Sequence, residues 1–111
     1  MLFDKTSLSA KAGKNIKLTL NHTGKIGKEF MGHNFVLLKK DVDVDDFAML
    51  ALDFKENEYI PKNNDFIVHT GMLGGGESET INFIIEEPGT YKYVCTFPGH
   101  YQIMQGELTI E

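Results

Sequence analysis

The sequence predicts an all-β fold, an antiparallel sandwich or barrel with one inserted helix. Most of the chain consists of short apolar or alternating segments, separated by turns that contain glycine, proline or asparagine. Strands at this regular spacing are typical of antiparallel sandwiches and barrels. A single segment, residues 41–60, has the periodicity of a helix instead. The 111 residues are expected to form one domain, 1–111, which is long enough to bury its own hydrophobic core.

Six segments are predicted to be strands. Residues 16–20 alternate apolar and polar side chains, which is the pattern of a half-buried strand. Residues 80–85 alternate in the same way until their end, and Pro88 and Gly89 mark the turn that follows. The six predicted strands span residues 16–20, 35–38, 66–69, 80–85, 90–94 and 106–110.

Residues 44–54 are predicted to form the inserted α-helix. Apolar residues recur there at helical spacing, as on the buried face of a surface helix. Asp45 and Asp46 suit its first turn, where carboxylates face the positive end of the helix dipole, and Pro61 ends the segment. The buried face is expected to comprise Val44, Phe47, Ala48, Leu50, Ala51 and Phe54.

Composition excludes some classes of function. The net charge is −5, all eleven basic residues are lysines and they form no basic stripe, so a nucleic-acid partner is not expected. No apolar run approaches the length of a membrane span. Residues 1–5 have neither the basic nor the apolar region of a signal peptide. An exported protein without its leader would begin like this, and so would a cytosolic protein.

One segment near the C-terminus combines three side chains that bind soft metals. Cys95, the only cysteine, is separated from His100 by four residues, and Met104 follows after three more. A thiolate, two imidazoles and a weak axial thioether form the trigonal site that selects copper for electron transfer. The second imidazole must come from another segment, because one loop cannot surround a metal, and His33 is the candidate. The sequence therefore predicts a site for one copper ion.

Residues beside these ligands are predicted to tune the site. Backbone N–H groups near Asn34 and Phe97 are expected to donate to the Cys95 sulfur. Pro98 has no N–H, which limits the number of donors, and fewer donors tend to lower the reduction potential. Gly32 has no side chain, so its carbonyl can approach the metal as a second weak axial group.

The two ligand segments resemble those of the azurins, the type 1 blue-copper proteins of the cupredoxin family. The resemblance is carried by Met-Gly-His-Asn at 31–34 and by Cys-Thr-Phe-Pro-Gly-His at 95–100 with Met104, and it extends over nearly the whole chain. It implies a cupredoxin-like Greek-key β-sandwich with one helix outside it. The implied copper ligands are His33, Cys95 and His100, with Met104 and the Gly32 carbonyl as distant axial groups.

The same resemblance implies a function and a setting. These proteins carry one electron at a time between redox proteins such as cytochromes, oxidases or reductases, which dock transiently, and they transform no substrate. The chain is therefore expected to be a monomeric electron carrier rather than an enzyme. Its expected location is periplasmic or otherwise exported.

The resemblance also assigns roles to residues around the metal. Asn34 ties the two ligand segments together, and His22 matches a histidine whose protonation is linked to redox state in some members. His100 is the ligand through which electrons pass, so its ring edge is expected at the surface, with His33 deeper behind Phe35. The docking patch around it is expected to comprise Phe30, Met31, Phe97, Pro98 and Tyr101.

Some features depart from the family pattern. The family begins with an additional strand, which would precede the first residue of this chain and carries one half of a disulfide. The partner position of that disulfide corresponds to Gly13, so neither half is expected here. Tyr101 stands where the family usually has a small residue. From frequency alone, His22 and His69 are expected to have structural or surface roles.

Two other functions fit parts of the pattern. Multicopper oxidases and copper nitrite reductases flank the type 1 cysteine with a histidine for their catalytic copper, whereas Cys95 lies between Val94 and Thr96. A non-redox cupredoxin that binds zinc or delivers copper can use the same ligands. This second function is the alternative to electron transfer that the sequence leaves open.

Overall fold

The chain folds into two β-sheets packed face to face, and the computed structural model describes residues 2–111. The strands are β1 (Ser7–Ala10), β2 (Ile16–Asn21), β3 (Val36–Leu38), β4 (Phe66–His69), β5 (Ser78–Phe83), β6 (Gly89–Val94) and β7 (Gln105–Ile110). The helices are α1 (Lys28–Met31), α2 (Val44–Ala51) and a 3₁₀-helix (Leu52–Asn57). The prediction of an all-β sandwich with an inserted helix is confirmed.

The larger sheet has five strands in the order β1-β7-β6-β3-β4. β1 runs parallel to β7, and the other neighbours are antiparallel. β2 and β5 form the smaller antiparallel sheet, in which Ile16 pairs with Phe83. In the larger sheet Val36 pairs with Val94, so the residues before β3 and those after β6 meet at one end of the sheet.

The main hydrophobic core lies between the two sheets. It is formed by alternate residues of the strands, for example Tyr91 and Tyr93 in β6 and Ile81 and Phe83 in β5. Burial of each such side chain stabilises the fold by about 1.5–3 kcal/mol. The inward residues of β2 are only half-buried, since β2 pairs only with β5 among the described strands. They line an open groove of about 820 Å³.

A second core lies on the outer face of the larger sheet, under the inserted segment. Val36 and Leu38 of β3 and Val94 of β6 contact Phe47 of α2 and Ile60, and all five residues are buried. The inserted segment is therefore anchored to the two strands that lead to the end of the sheet described below.

α2 begins after the cap residue Asp43, whose carboxylate accepts a hydrogen bond from the Asp46 N–H at 2.9 Å. Asp45 also lies in the first turn, as predicted. The α-helix ends at Ala51, three residues before the predicted end, and continues as the 3₁₀-helix. The continuation is not regular, because Phe54 has the non-helical dihedral angles φ −118° and ψ 37°.

One residue of the predicted helix face lies elsewhere. Leu50, which was predicted to be buried, is 41 % exposed, so this prediction is wrong. The buried residues of α2 are Phe47, Ala48 and Ala51. They form a narrow stripe on a short helix, and Leu50 lies beside that stripe rather than in it.

Two elements had only weak signals in the sequence. β1 has the sequence Ser-Leu-Ser-Ala, which lacks the β-branched and aromatic residues that favour strands. It forms a strand because it pairs with β7, with Ser7 opposite Glu107. α1 is a single turn, and its cap residue Gly27 makes no side-chain hydrogen bond. In addition, the strand predicted at 80–85 lies two residues earlier, at Ser78–Phe83.

Replacement of Leu37 by Ala should lower the free energy of unfolding by about 2–5 kcal/mol, because it leaves a cavity in the main core. Leu37 is fully buried in β3, which lies between β6 and β4 in the larger sheet. Urea denaturation measures the effect. As a control, Ile84→Ala at a 52 % exposed position should change the stability by less than about 0.5 kcal/mol. Equal effects of the two substitutions would contradict the assigned core.

Candidate metal centre

Cys95 begins the loop that joins β6 to β7 at one end of the larger sheet. The Cys95 N–H donates to the Met104 carbonyl at 3.0 Å, which closes the loop at its base. Within the loop, the Met104 N–H donates to the His100 carbonyl at 2.8 Å and the His100 N–H to the Phe97 carbonyl at 3.0 Å. Gly99 has a left-handed φ of +84°, which glycine adopts without strain. These contacts hold the backbone of three predicted ligands in one tight loop.

His33 lies shortly before β3, so it reaches the same end of the sheet as the loop. The His33 N–H donates to the Leu73 carbonyl at 3.0 Å, and the Leu73 N–H donates to the His33 carbonyl at 2.8 Å. Gly32 has no room for a side chain, because a Cβ atom there would lie 2.8 Å from Met72 Cγ and 2.9 Å from the Lys28 carbonyl oxygen. Close packing therefore requires glycine beside this histidine.

The side chains of His33, Cys95 and His100 meet in one cluster. Their ligand nitrogen and sulfur atoms all lie within 4.8 Å of one another, and Cys95 Sγ is 3.8 Å from His100 Nδ1. His33 Nδ1 is buried and has no hydrogen-bond partner among the described residues. An unpartnered buried nitrogen beside a thiol and a second imidazole fits a metal ion, and this donor set fits copper.

Burial shifts the pKa values of all three groups. Burial, followed by two nearby imidazoles, lowers the pKa of His33 to about 4, and burial also lowers the pKa of His100. Burial raises the pKa of the Cys95 thiol to about 11, although hydrogen bonds from the Asn34 and Phe97 backbone N–H groups act in the opposite direction. At neutral pH both imidazoles are therefore ready to bind a metal, whereas metal binding at the thiol must displace a proton.

Asn34 connects the two segments that carry the ligands. Its Oδ1 accepts a hydrogen bond from the Thr96 N–H at 2.8 Å, and its Nδ2 donates to Thr96 Oγ1 at 2.9 Å. Thr96 Oγ1 in turn donates to the Tyr59 carbonyl at 2.8 Å. Both Asn34 and Thr96 are buried. The side chain of Asn34 thus sets the distance between the two ligand segments, and the insertion is tied to the same network.

The expected exposure of the two histidines is reversed in the structure. His100 is only 3 % exposed, and the ring of Phe97 lies against it with 4.7 Å between the ring centroids. His33 is half-buried. The prediction that the ring edge of His100 reaches the surface while His33 lies deeper is therefore wrong. The reason is local, since a residue of the ligand loop covers the histidine of the same loop.

The residues predicted to form the docking patch differ in exposure. Phe30 is 79 % exposed, whereas Met31, Phe97 and Pro98 are half-buried. Tyr101 is also half-buried, and it packs against the core cluster under α2. Phe30 belongs to α1, so this helical turn presents the most exposed apolar side chain of the patch to solvent.

His22 contacts the site, although residue frequencies favoured a structural or surface role. Its ring stacks on His33 with 4.3 Å between centroids, and it is buried. Nδ1 accepts a hydrogen bond from the Gly24 N–H at 3.1 Å, so Nε2 carries the proton and donates to the Met31 carbonyl at 2.7 Å. Only the family resemblance pointed to this position. His69 lies in β4, outside the ligand cluster.

The chain matches known copper proteins over its whole length. A family model for copper-binding proteins of the plastocyanin/azurin family covers residues 1–111. The chain belongs to this family. Azurin-1 of Alcaligenes xylosoxydans xylosoxydans is 36 % identical over 118 residues, which cover 99 % of this chain and 89 % of that protein. Azurin of Alcaligenes faecalis is 35 % identical over 107 residues, which cover 90 % of this chain and 81 % of that protein.

Solved structures of blue-copper proteins share the fold. Reduced auracyanin from Roseiflexus castenholzii is 33 % identical with a TM-score of 0.87, covering 97 % of this chain and 86 % of its own. An azurin from Methylomonas sp. strain J is 31 % identical with a TM-score of 0.86, covering 99 % of this chain and 89 % of its own.

The protein is a blue-copper electron-transfer cupredoxin. Its copper site contains His33, Cys95 and His100, with a methionine nearby. Electrons pass between this site and redox partners. Within residues 2–111, no helix is long and apolar enough to cross a membrane.

Replacement of Asn34 by Ala should destabilise both the fold and the copper site. The Thr96 N–H would be left buried without an acceptor, which costs about 1–3 kcal/mol. Urea denaturation of the metal-free protein measures the stability, and transfer of copper to an excess of chelator measures its retention. Asn15→Ala is the matched control, because it removes an exposed amide hydrogen bond to Asn82. If both variants retain copper equally well, the bridging role assigned to Asn34 is incorrect.

Proposed function

We propose that this single domain, residues 1–111, is a monomeric, non-enzymatic electron carrier that is periplasmic or otherwise exported. The observation that carries the proposal is the buried cluster of His33, Cys95 and His100 with its unpartnered histidine nitrogen. Bound copper supplies a one-electron Cu(I)/Cu(II) couple there. Cys95 lies between Val94 and Thr96, so no flanking histidine is available to hold a catalytic copper. The exported location rests on the resemblance to azurins alone.

In this proposal Met104 and the Gly32 carbonyl would be weak additional ligands of the bound copper. Met104 is 2 % exposed, and its backbone is bonded to both Cys95 and His100 at the base of the loop. Gly32 is buried directly before His33. Gly32 is therefore adjacent to one strong ligand in the chain, and the backbone of Met104 is hydrogen-bonded to the other two. A thioether and a carbonyl are weak donors, so they would leave the three strong bonds dominant.

The protein holds its ligands in place through contacts that need no metal. The Asn34 network and the paired backbones of His33 and Leu73 fix the two ligand segments. Such preorganisation limits rearrangement when the oxidation state changes, and this favours fast electron transfer.

Hydrogen bonds to the sulfur set part of the reduction potential. The backbone N–H groups of Asn34 and Phe97 donate to Cys95. Pro98 follows directly and has no N–H to add. A thiolate with fewer donors stays more electron-rich, which favours Cu(II) and lowers the potential.

Redox partners such as cytochromes, oxidases or reductases dock on the apolar patch of Phe30, Met31, Phe97, Pro98 and Tyr101. The exposure of Phe30 and the contact of Phe97 with the ring of His100 support this surface. A partner that touches Phe97 is separated from a ligand by one aromatic ring. A small apolar contact of this kind allows rapid dissociation, as transient redox encounters require.

Replacement of Cys95 by Ser should abolish the intense visible absorption of the copper-loaded protein, because that band requires the bond between thiolate and copper. Absorption spectroscopy with parallel copper analysis measures the result. An intensely blue Cys95→Ser protein would exclude Cys95 as a ligand. If the unmodified copper-loaded protein lacks the band, the non-redox alternative, with zinc binding or copper delivery, replaces the proposal.

Replacement of Met104 by Leu should keep the visible band and raise the reduction potential. The axial thioether stabilises Cu(II) more than Cu(I), and this preference is lost with an aliphatic side chain. Protein-film voltammetry measures the potential, and the absorption spectrum confirms that the thiolate bond is retained. An unchanged potential would place Met104 away from the metal, whereas loss of copper would make it a primary ligand.

Replacement of Phe30 by Glu should slow electron self-exchange by about tenfold at low ionic strength, because two facing patches would repel each other. NMR line broadening measures this rate, and added salt should partly restore it. Ile84→Glu introduces the same charge at an exposed position on another strand end and should have little effect. Equal rates for the two variants would assign electron exit to a different surface.

A further inference from the structure

The outward side of the inserted helical segment is unusually apolar. Met49, Leu50 and Leu52 are 57 %, 41 % and 42 % exposed, although α2 already has a buried inward stripe. A helix packed on a sheet normally presents polar residues to solvent on this side. Single exposed apolar residues need no explanation, but three within four positions form a patch that suits contact with another molecule.

Carboxylates frame this apolar patch. Asp45 precedes Met49 by four residues, about one turn along α2, and Asp53 follows Met49 by four residues, in the 3₁₀-helix. In the part of the chain that the structure describes, the framing carboxylates take part in no salt bridge. The four exposed framing residues are Asp45, Asp46, Asp53 and Glu56. We call these four carboxylates and the three apolar residues together the insertion face.

The insertion carries the negative charge of the whole protein. The inserted segment, residues 41–60, contains seven carboxylates and one lysine, a net charge of −6. The whole chain has a net charge of −5, so all other residues together carry +1. The negative electrostatic potential of the protein is therefore concentrated at this segment rather than spread over the whole surface. Such a potential attracts a cationic surface to this side of the molecule and raises the rate of encounter.

The insertion is also bonded to the ligand loop. The Tyr59 carbonyl accepts a hydrogen bond from Thr96 Oγ1 at 2.8 Å, and the Tyr59 ring meets Phe97 edge to face at 6.1 Å. Thr96 and Phe97 directly follow the metal ligand Cys95. A protein held on the insertion therefore lies on an element that contacts the metal loop itself.

We propose that the insertion face is a docking surface for a cationic redox protein, one with lysine or arginine side chains around an apolar centre. This inference rests on the proposed electron-transfer function and extends it, since it names the chemistry of the partner and a second contact surface. The carboxylates steer and orient the partner, while the exposed apolar side chains supply the dry centre of the contact.

The test measures electron transfer between the copper-loaded protein and cytochrome c, a lysine-rich redox protein used as the cationic probe. The insertion variant, Asp53→Lys with Glu56→Lys, reverses two charges of the insertion face. Both positions lie outside the first turn of α2. The matched control, Glu86→Lys with Glu111→Lys, makes the same change in net charge at two exposed positions. These control positions lie near the end of the sheet where β6 begins and β7 ends, away from the ligand loop.

At low ionic strength the insertion variant should lower the second-order rate constant of electron transfer by at least about tenfold, and the control variant should lower it by less than about threefold. The difference should vanish in about 0.5 M salt. A third variant, Met49→Ser with Leu50→Ser, should raise the cytochrome c concentration needed for half-saturation about tenfold. It should not change the salt dependence of the rate constant. Its two positions are exposed, so the fold should be retained.

Equal slowing by the two charge variants would mean that only net charge matters, and no slowing by either would place the contact elsewhere. Both results overturn the inference. Sedimentation velocity tests a third possibility. If the unmodified protein self-associates and the insertion variant does not, the face binds a second copy of the chain, which would also overturn the inference. Failure of the proposed function is a distinct result, because the unmodified protein would then exchange no electrons even with a small oxidant such as ferricyanide.

Discussion

The metal centre depends on one buried contact between segments that are 62 residues apart in sequence. The Asn34 amide pairs with both the N–H and the hydroxyl of Thr96, and the hydroxyl also reaches Tyr59. An unpaired buried amide or N–H is costly, so partial formation of this network is unfavourable. The network therefore places His33 and Cys95 together or leaves both displaced. The fold supplies this contact because antiparallel β3 and β6 bring the two segments to the same end of the sheet.

The other side of the ligand segment is supported by a loop without regular structure. The Gly71 N–H donates to the Glu79 carboxylate at 2.7 Å, and the Met72 N–H donates to Glu58 at 3.3 Å. These charged acceptors satisfy backbone donors that a strand would pair with its neighbour. Leu73 is thereby positioned to exchange two backbone hydrogen bonds with the ligand segment. The second support of the site is thus built from glutamate side chains that carry no metal-binding signature.

Local patterns predicted the parts of the molecule that local chemistry determines. Alternation, short apolar runs and turn residues located six strands. Cys95, His100 and Met104 are close in sequence, so their loop was recognisable as a ligand loop. Properties set by distant contacts were not predictable in this way. β1 is held by its pairing with β7, the burial of His100 depends on the position of the Phe97 ring, and the exposure of Leu50 depends on how α2 lies on the sheet. Each of these requires knowledge of tertiary packing.

The inserted segment uses different residues for two purposes, a fixed contact with the ligand loop and a surface that faces solvent. Its inward residues are fixed, since Phe47 and Ile60 fill a core cluster and Tyr59 is bonded to the ligand loop. Among the described contacts, its outward residues contribute no hydrogen bond to that loop. Substitutions on the outward side can therefore change the charge and shape of that surface while the backbone hydrogen bonds of Cys95 and Met104 stay in place. In the proposed function, the residues that meet a partner are consequently different from the residues that set the reduction potential.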